Sequence, residues 1–199
     1  AELRYQFALA FAAMGEWENA TRQLLAATEL NPKHMQAQLR LSQLLAGTSD
    51  LNVVSNANQR LEELFIATPK DPDVLISLAV TEWKLSKKED AERHLRQAFE
   101  SFPARVDSAV ELARVLMARG DLKGAEETLK RTAGQQPPSA NAIVALALFC
   151  AFHKRLPEAQ DLLLSAVNLE PQNGRAIHSL AAVRVQMGNL EEADRLYKR

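Results

Sequence analysis

Four histidines, one cysteine and recurring pairs of adjacent glutamates carry most of the reactive potential in this 199-residue chain. A histidine serves as a general base or a metal ligand. Neighbouring carboxylates divide acid and base roles when burial pushes their pKa values apart. A thiol becomes a nucleophile when a positive environment lowers its pKa. The spacing supports none of these chemistries. His34, His94, His153 and His178 lie far apart, with no H-E-x-x-H pattern, and the chain has no glycine-rich phosphate loop. A single cysteine, Cys150, excludes an intramolecular disulfide and a Cys-based zinc cage; its apolar surroundings predict a small buried hydrophobe. Glu62-Glu63 and Glu126-Glu127 stand on polar faces, where nothing would desolvate them, and are expected to be solvated surface charges. No catalytic residue, cofactor or metal site is expected, and the chain is not expected to be an enzyme.

Composition narrows the remaining classes. With 47% hydrophobic and 25% charged residues the chain has an ordinary globular balance, which argues against extensive disorder. Its 24 basic and 25 acidic side chains leave a formal charge of −1, without the positive surplus that a nucleic-acid binder needs. The run Lys87-Lys88-Glu89-Asp90 mixes both signs and is expected to be a solvated surface. No apolar stretch reaches the roughly 20 residues of a membrane span. The basic-then-apolar pattern of a signal peptide is not read at its start, so none is expected within this sequence. The sequence starts at Ala1 and stops at Arg199 inside a patterned segment, as a slice of a longer protein would. A cytoplasmic location is the default expectation, with export open if a signal lies outside the slice.

The elements that position these residues follow from a repeat. Pro32, Pro69, Pro103, Pro137 and Pro171 succeed one another at intervals of 37, 34, 34 and 34 residues. Twelve residues before each stands an alanine (Ala20, Ala57, Ala91, Ala125, Ala159), and eight before each a leucine (Leu24, Leu61, Leu95, Leu129, Leu163). An apolar–small pair opens each unit: Phe7-Ala8, Leu41-Ser42, Leu78-Ala79, Leu112-Ala113, Leu146-Ala147 and Leu180-Ala181. Gly15, Gly120 and Gly188 fall at an equivalent turn, where a positive φ ends a first helix cheaply. Each proline then stops a second helix. Apolar residues recur at helical spacing on either side of the turn, so each unit is a helix pair that must lean on its neighbours.

In this register the chain resembles the tetratricopeptide repeat, a 34-residue helix–turn–helix unit ending in proline. The first unit matches best, through Phe7, Ala8, Phe11, Gly15, Ala20, Leu24, Ala27 and Pro32. Arg4 replaces the usual tryptophan, Glu82 stands where an aromatic is common, and three extra residues fall around Gly47-Thr48-Ser49-Asp50, predicting a longer loop or an extended helix start. The resemblance implies an all-α, right-handed superhelical α-solenoid of antiparallel helix pairs. It would form a single array over residues 1–199, with repeats at about 1–34, 35–71, 72–105, 106–139, 140–173 and a truncated 174–199. The alanine-rich, degenerate repeats fit a bacterial source.

The resemblance also implies a protein–protein interaction scaffold whose first helices line a concave groove for a partly apolar peptide or amphipathic helix. The alternative is a regulatory or substrate-selecting arm of a larger enzyme or of an export or polysaccharide-assembly system. The residues that would close a carboxylate clamp or an asparagine ladder are missing. The inner series is instead Tyr5, Leu9, Leu39, Ile76, Val80, Trp83, Val110, Met117, Val144, Leu148 and Phe152, with Arg40, Gln43, Arg114 and Arg175 as polar edges and His178 as a hydrogen-bonding contact. These apolar side chains either meet a ligand or close the contacts between adjacent first helices. Trp83 and Met117, large and adaptable, are expected to contact the ligand, while Trp17 is expected to pack locally at its turn. The partner expected is another protein, not nucleic acid. Because solenoids need polar end caps, end-to-end self-association is also expected to be open to the fragment.

Overall fold

The computed structural model describes residues 1–198. Its elements are α1 (Glu2–Ala13), α2 (Trp17–Leu30), α3 (Met35–Ala46), α4 (Leu51–Ala67), α5 (Pro72–Lys84), α6 (Lys88–Ser101), α7 (Val106–Ala118), α8 (Leu122–Ala133), α9 (Ala140–Phe152), α10 (Leu156–Leu169), α11 (Gly174–Gln186) and α12 (Leu190–Tyr197). Among the described residues there is no strand. The chain divides into two units, Ala1–Ser101 with α1–α6 and Phe102–Arg199 with α7–α12. In each unit three antiparallel pairs stack, second helix against next first helix. In the first unit α3 touches α5; in the second α9 touches both α7 and α11. The expected all-α fold of helix pairs is the one observed.

The repeating small and branched residues make this stack. Ala20, Ala57, Ala91, Ala125 and Ala159 have no exposed surface, and the five leucines that follow them four residues later are buried. Ala8, Ala79, Ala113, Ala147 and Ala181 are buried too, where paired helices approach closely. Phe7 departs from its counterparts: 46% of it is exposed, whereas Leu41, Leu78, Leu112, Leu146 and Leu180 are buried.

Five of the six within-pair turns share one geometry. The amide of Glu16, Lys87, Asp121, Arg155 or Asn189 donates to the carbonyl of Phe11, Glu82, Leu116, Cys150 or Arg184, five residues back, in each case at 2.9 Å. That bond satisfies a carbonyl that a helix end leaves orphaned. It requires a left-handed residue, supplied by Gly15, Gly120 and Gly188 (φ 76°, 86° and 84°) as the sequence predicts. Ser86 and Lys154 adopt the same conformation (φ 63° and 62°) with side chains that disfavour it. The sixth turn holds the extra residues. Gly47 there has a φ of −68°, and α4 runs for 17 residues against 14 in α2, α6 and α10. Most of the insertion therefore extends a helix. Asp50 accepts from Asn52 N–H at its start, and Lys84 donates to the carbonyls of Ala46 and Thr48 at the end of α3.

Candidate protein-binding groove

In the second unit, α9 is apolar from Ala142 onward, with Asn141 its one polar residue, the pattern of a helix enclosed on most sides. Val144, Ala147 and Cys150 are fully buried. Leu148 and Phe152 turn outward instead, and 75% of Phe152 is exposed. Between these side chains and α7 runs an open groove of about 530 Å³. It is lined by Val110, Ala113, Arg114, Met117 and Ala118 of α7, Leu122 and Leu129 of α8, Ala145, Leu148, Phe149 and Phe152 of α9, and Arg175 of α11. Ten of these twelve are apolar, so water held there gains little from its walls. The two polar residues are both guanidinium donors. Arg114 donates from Nε and Nη2 to Glu111 Oε2 at 2.9 and 2.6 Å. Arg175 makes no hydrogen bond or ion pair among the described residues.

Six inner residues expected in this half, Val110, Arg114, Met117, Leu148, Phe152 and Arg175, therefore lie together. Val144 does not join them: it is fully buried and serves the packing of α9, the other role left open for the series. His178 lies outside the lining, with its ring 5.3 Å from that of Tyr197. Sequence reasoning missed Leu122 and Leu129, because it assigned second helices wholly to the outer layer. The first residue of α8 follows a tight turn and stays near the first-helix face; that position was the available signal.

The inner series of the first unit is mostly engaged with itself. Tyr5 is buried with its ring 5.1 Å from that of His34. Leu9 packs on the cluster formed by Tyr5, Ala8, Leu24, Ala27, Ala37 and Leu41, and Leu39 on that of Leu61, Leu64, Val74 and Leu78. Arg40 donates to Gln43 Oε1 at 3.0 Å, and Gln43 donates across to Ser77 Oγ at 3.0 Å, joining α3 to α5. Ile76, Val80 and Trp83 are half-buried, with the Lys88 ammonium 5.6 Å from the Trp83 ring. Trp17, expected to pack locally, is exposed beside Thr21, Arg22 and Leu25; it begins α2 on the solvent side of its turn.

Two polar arrangements join helices in the stack. Glu82, at the position where an aromatic is common, is buried, and its Oε2 lies 2.8 Å from Nδ1 of the equally buried His94, whose ring is 5.1 Å from Phe65. Beside it Thr81 donates to Asn58 Oδ1 at 2.9 Å. Glu126 is not the free surface charge expected. Arg155, at the start of α10, donates to both its oxygens at 2.8 and 2.9 Å, and Lys130 lies 2.6 Å away. These bonds, Arg155 first, hold the Glu126 carboxyl down at about 2. Arg155 also reaches Glu158 and, at 3.3 Å, Cys150 Sγ. Burial raises the Cys150 thiol pKa, keeping it protonated and inert. Glu127 stays exposed, as expected.

Among the described residues no group of three or more His, Cys, Asp or Glu side chains is placed to hold a metal. None of their helices is long and apolar enough to cross a membrane.

Family models of the tetratricopeptide repeat match residues 5–51 and 83–148, together more than half of the sequence. Among solved structures the chain resembles a thermophilic TPR protein of Thermus thermophilus at 19% identity and a TM-score of 0.74, over 92% of this chain and 98% of that one. It resembles Pseudomonas aeruginosa pilF at 15% identity and a TM-score of 0.67, over 98% and 87%. A tetratricopeptide repeat protein from Parabacteroides merdae is similar at 14% identity and a TM-score of 0.62, over 99% and 77%. At these identities the likeness concerns the fold. No curated protein matches the sequence. With its register of Ala, Leu and Pro realised as stacked helix pairs, the chain belongs to the tetratricopeptide repeat family, whose repeats are generally non-catalytic and mediate protein–protein interaction.

Proposed function

We propose that this chain is a protein-binding scaffold, and that it takes an apolar stretch of its partner in the groove along α7 and α9. The observation that carries this reading is Phe152, a phenylalanine three-quarters exposed at the rim of a lining that is otherwise almost wholly apolar. Exposed apolar area gathered into one concave site is the usual mark of an interaction surface. Met117 and Leu148 beside it add adaptable contact area.

The experiment is selection of a displayed library of random 16-residue peptides on the purified chain, followed by fluorescence anisotropy of the enriched peptides. Truncating an aromatic anchor at the centre of an interface commonly costs at least about 2 kcal/mol, roughly thirtyfold in affinity. Phe152→Asp should weaken the enriched peptides by at least that factor, and Glu127→Ala on the outer layer should leave them unchanged. Peptides that bind Phe152→Asp as tightly as the parent chain would place recognition elsewhere.

A further inference from the structure

Resting on that reading of the groove, we infer that the segment bound is an α-helix with a carboxylate beside its apolar stripe, and that Arg175 receives this carboxylate. Three observations converge on it.

The first is what the lining lacks. A bound extended segment presents an N–H and a C=O at nearly every residue, and each needs a partner once water is displaced. The side chains of this groove include no amide, hydroxyl or carboxylate; their only polar groups are those of Arg114 and Arg175. Such walls offer the N–H groups of an extended backbone no side-chain acceptor. A helix satisfies its own backbone internally and offers the surface with an apolar stripe at i, i+3, i+4 and i+7.

The second is charge. Arg114 is engaged with Glu111, while Arg175 makes no hydrogen bond or ion pair among the described residues. The electrostatic complement of this site is therefore an anion on the occupant. Guanidinium matches carboxylate geometry, two N–H groups to two oxygens.

The third is placement. Asn173 donates to Asn141 at 3.3 Å, which puts the start of α11 beside the start of α9. Arg175 thus belongs to the end of the groove where α9 begins, and Phe152 to the end where it stops. On α9 the lining runs from Ala145 to Phe152, seven residues along, about 10 Å of helix at roughly 1.5 Å per residue. An occupant lying along α9 meets the aromatic anchor with one end and Arg175 with the other, so its carboxylate stands about two turns from its main apolar anchor.

The library peptides test this apart from the groove reading itself. Peptides lost on Phe152→Asp should carry apolar residues at helical spacing, and a proline placed mid-peptide should abolish their binding. Replacing their Glu or Asp by Gln or Asn should weaken binding to the parent chain about three- to fivefold, as expected for a solvent-edged ion pair. The same replacement should change nothing on Arg175→Gln, an exposed position whose variant keeps the fold. Phe152-dependent peptides that tolerate the proline, or show alternating spacing, overturn the helix. Phe152-dependent peptides indifferent to both the carboxylate and Arg175 overturn the ion pair and leave the groove standing. If no enriched peptide depends on Phe152, the groove reading fails and this one fails with it.

Discussion

The inner faces of the two units use the same repeat to opposite ends. In the first, Gln43 reaches across to Ser77, Tyr5 is buried against His34, and Leu9 and Leu39 fill core clusters. In the second, the corresponding first helices leave Met117, Leu148 and Phe152 around an open apolar groove. The polar links are also placed differently. The first unit buries its main one, Glu82–His94, while the second joins α8 to α10 through the partly exposed Arg155 and Glu126. One repeat register can therefore build either a closed, cross-linked stack or a stack with an unfilled groove. What decides is whether inner positions find partners on the neighbouring first helix.

The largest effect should come from breaking the buried pair of the first unit. His94→Ala leaves Glu82 without its partner, a loss that typically costs about 3–5 kcal/mol. Urea unfolding should show an early transition absent from the parent protein, and the double change Glu82→Leu with His94→Leu should recover most of the loss. An unchanged profile for His94→Ala would mean that the first unit is not held by this link.

Binding should discriminate between the units next. Phe152→Asp is expected to remove about 2 kcal/mol or more of affinity for a groove peptide, against little for Trp83→Ala. The sequence pointed to Trp83 as a ligand contact, but Lys88 lies over its ring and it lies outside the second unit's groove. A peptide more sensitive to Trp83 than to Phe152 would reverse the comparison.

A smaller effect concerns acid. A carboxyl whose folded pKa lies below its unfolded value contributes stability that is complete above the unfolded value and disappears as pH falls through the folded one. For Glu126 that window runs from the ordinary glutamate value of 4.5 down to about 2. Glu126→Gln should cost about 1–2 kcal/mol at neutral pH, between a surface pair and a charged hydrogen bond. It should also flatten the acid dependence of stability in that window. A variant that loses stability in acid as steeply as the parent would assign the dependence to other carboxyls.

The smallest effect lies in the turns. Lys154 and Ser86 occupy left-handed positions that glycine fills in the equivalent turns. Lys154→Gly and Ser86→Gly should each raise stability by up to about 1 kcal/mol by relieving the Cβ conflict. If the turns tolerate these side chains, thermal melts will shift in neither unit.

The helix pairs were legible because alanine, leucine and proline recur at positions whose burial depends on the repeat alone. Three of the left-handed turns were legible for the same reason, since glycine marks them. Ser86 and Lys154 were not, because the bond from the following N-cap imposes the conformation whatever residue is present. The groove was half legible: periodicity told which face of α9 holds Leu148 and Phe152, but Val144 shares the helix and is buried by the crowding of α9 between its neighbours. Glu126 was misread because its partner Arg155 is 29 residues away on the next pair. Spacing says which side chains share a face, not which polar atoms a neighbouring pair brings within reach.

A chain of near-copies faces a hazard that unlike elements avoid, because any first helix fits any second helix tolerably well. Glu82 makes one such mismatch costly. The residues corresponding to His94 in the following pairs are Thr128, Leu162 and Leu196, and α5 docked on α8, α10 or α12 would bury its carboxylate against one of these. Only α6 offers an imidazole at that place. The pair thus sets α6 apart from the later second helices as the partner of α5.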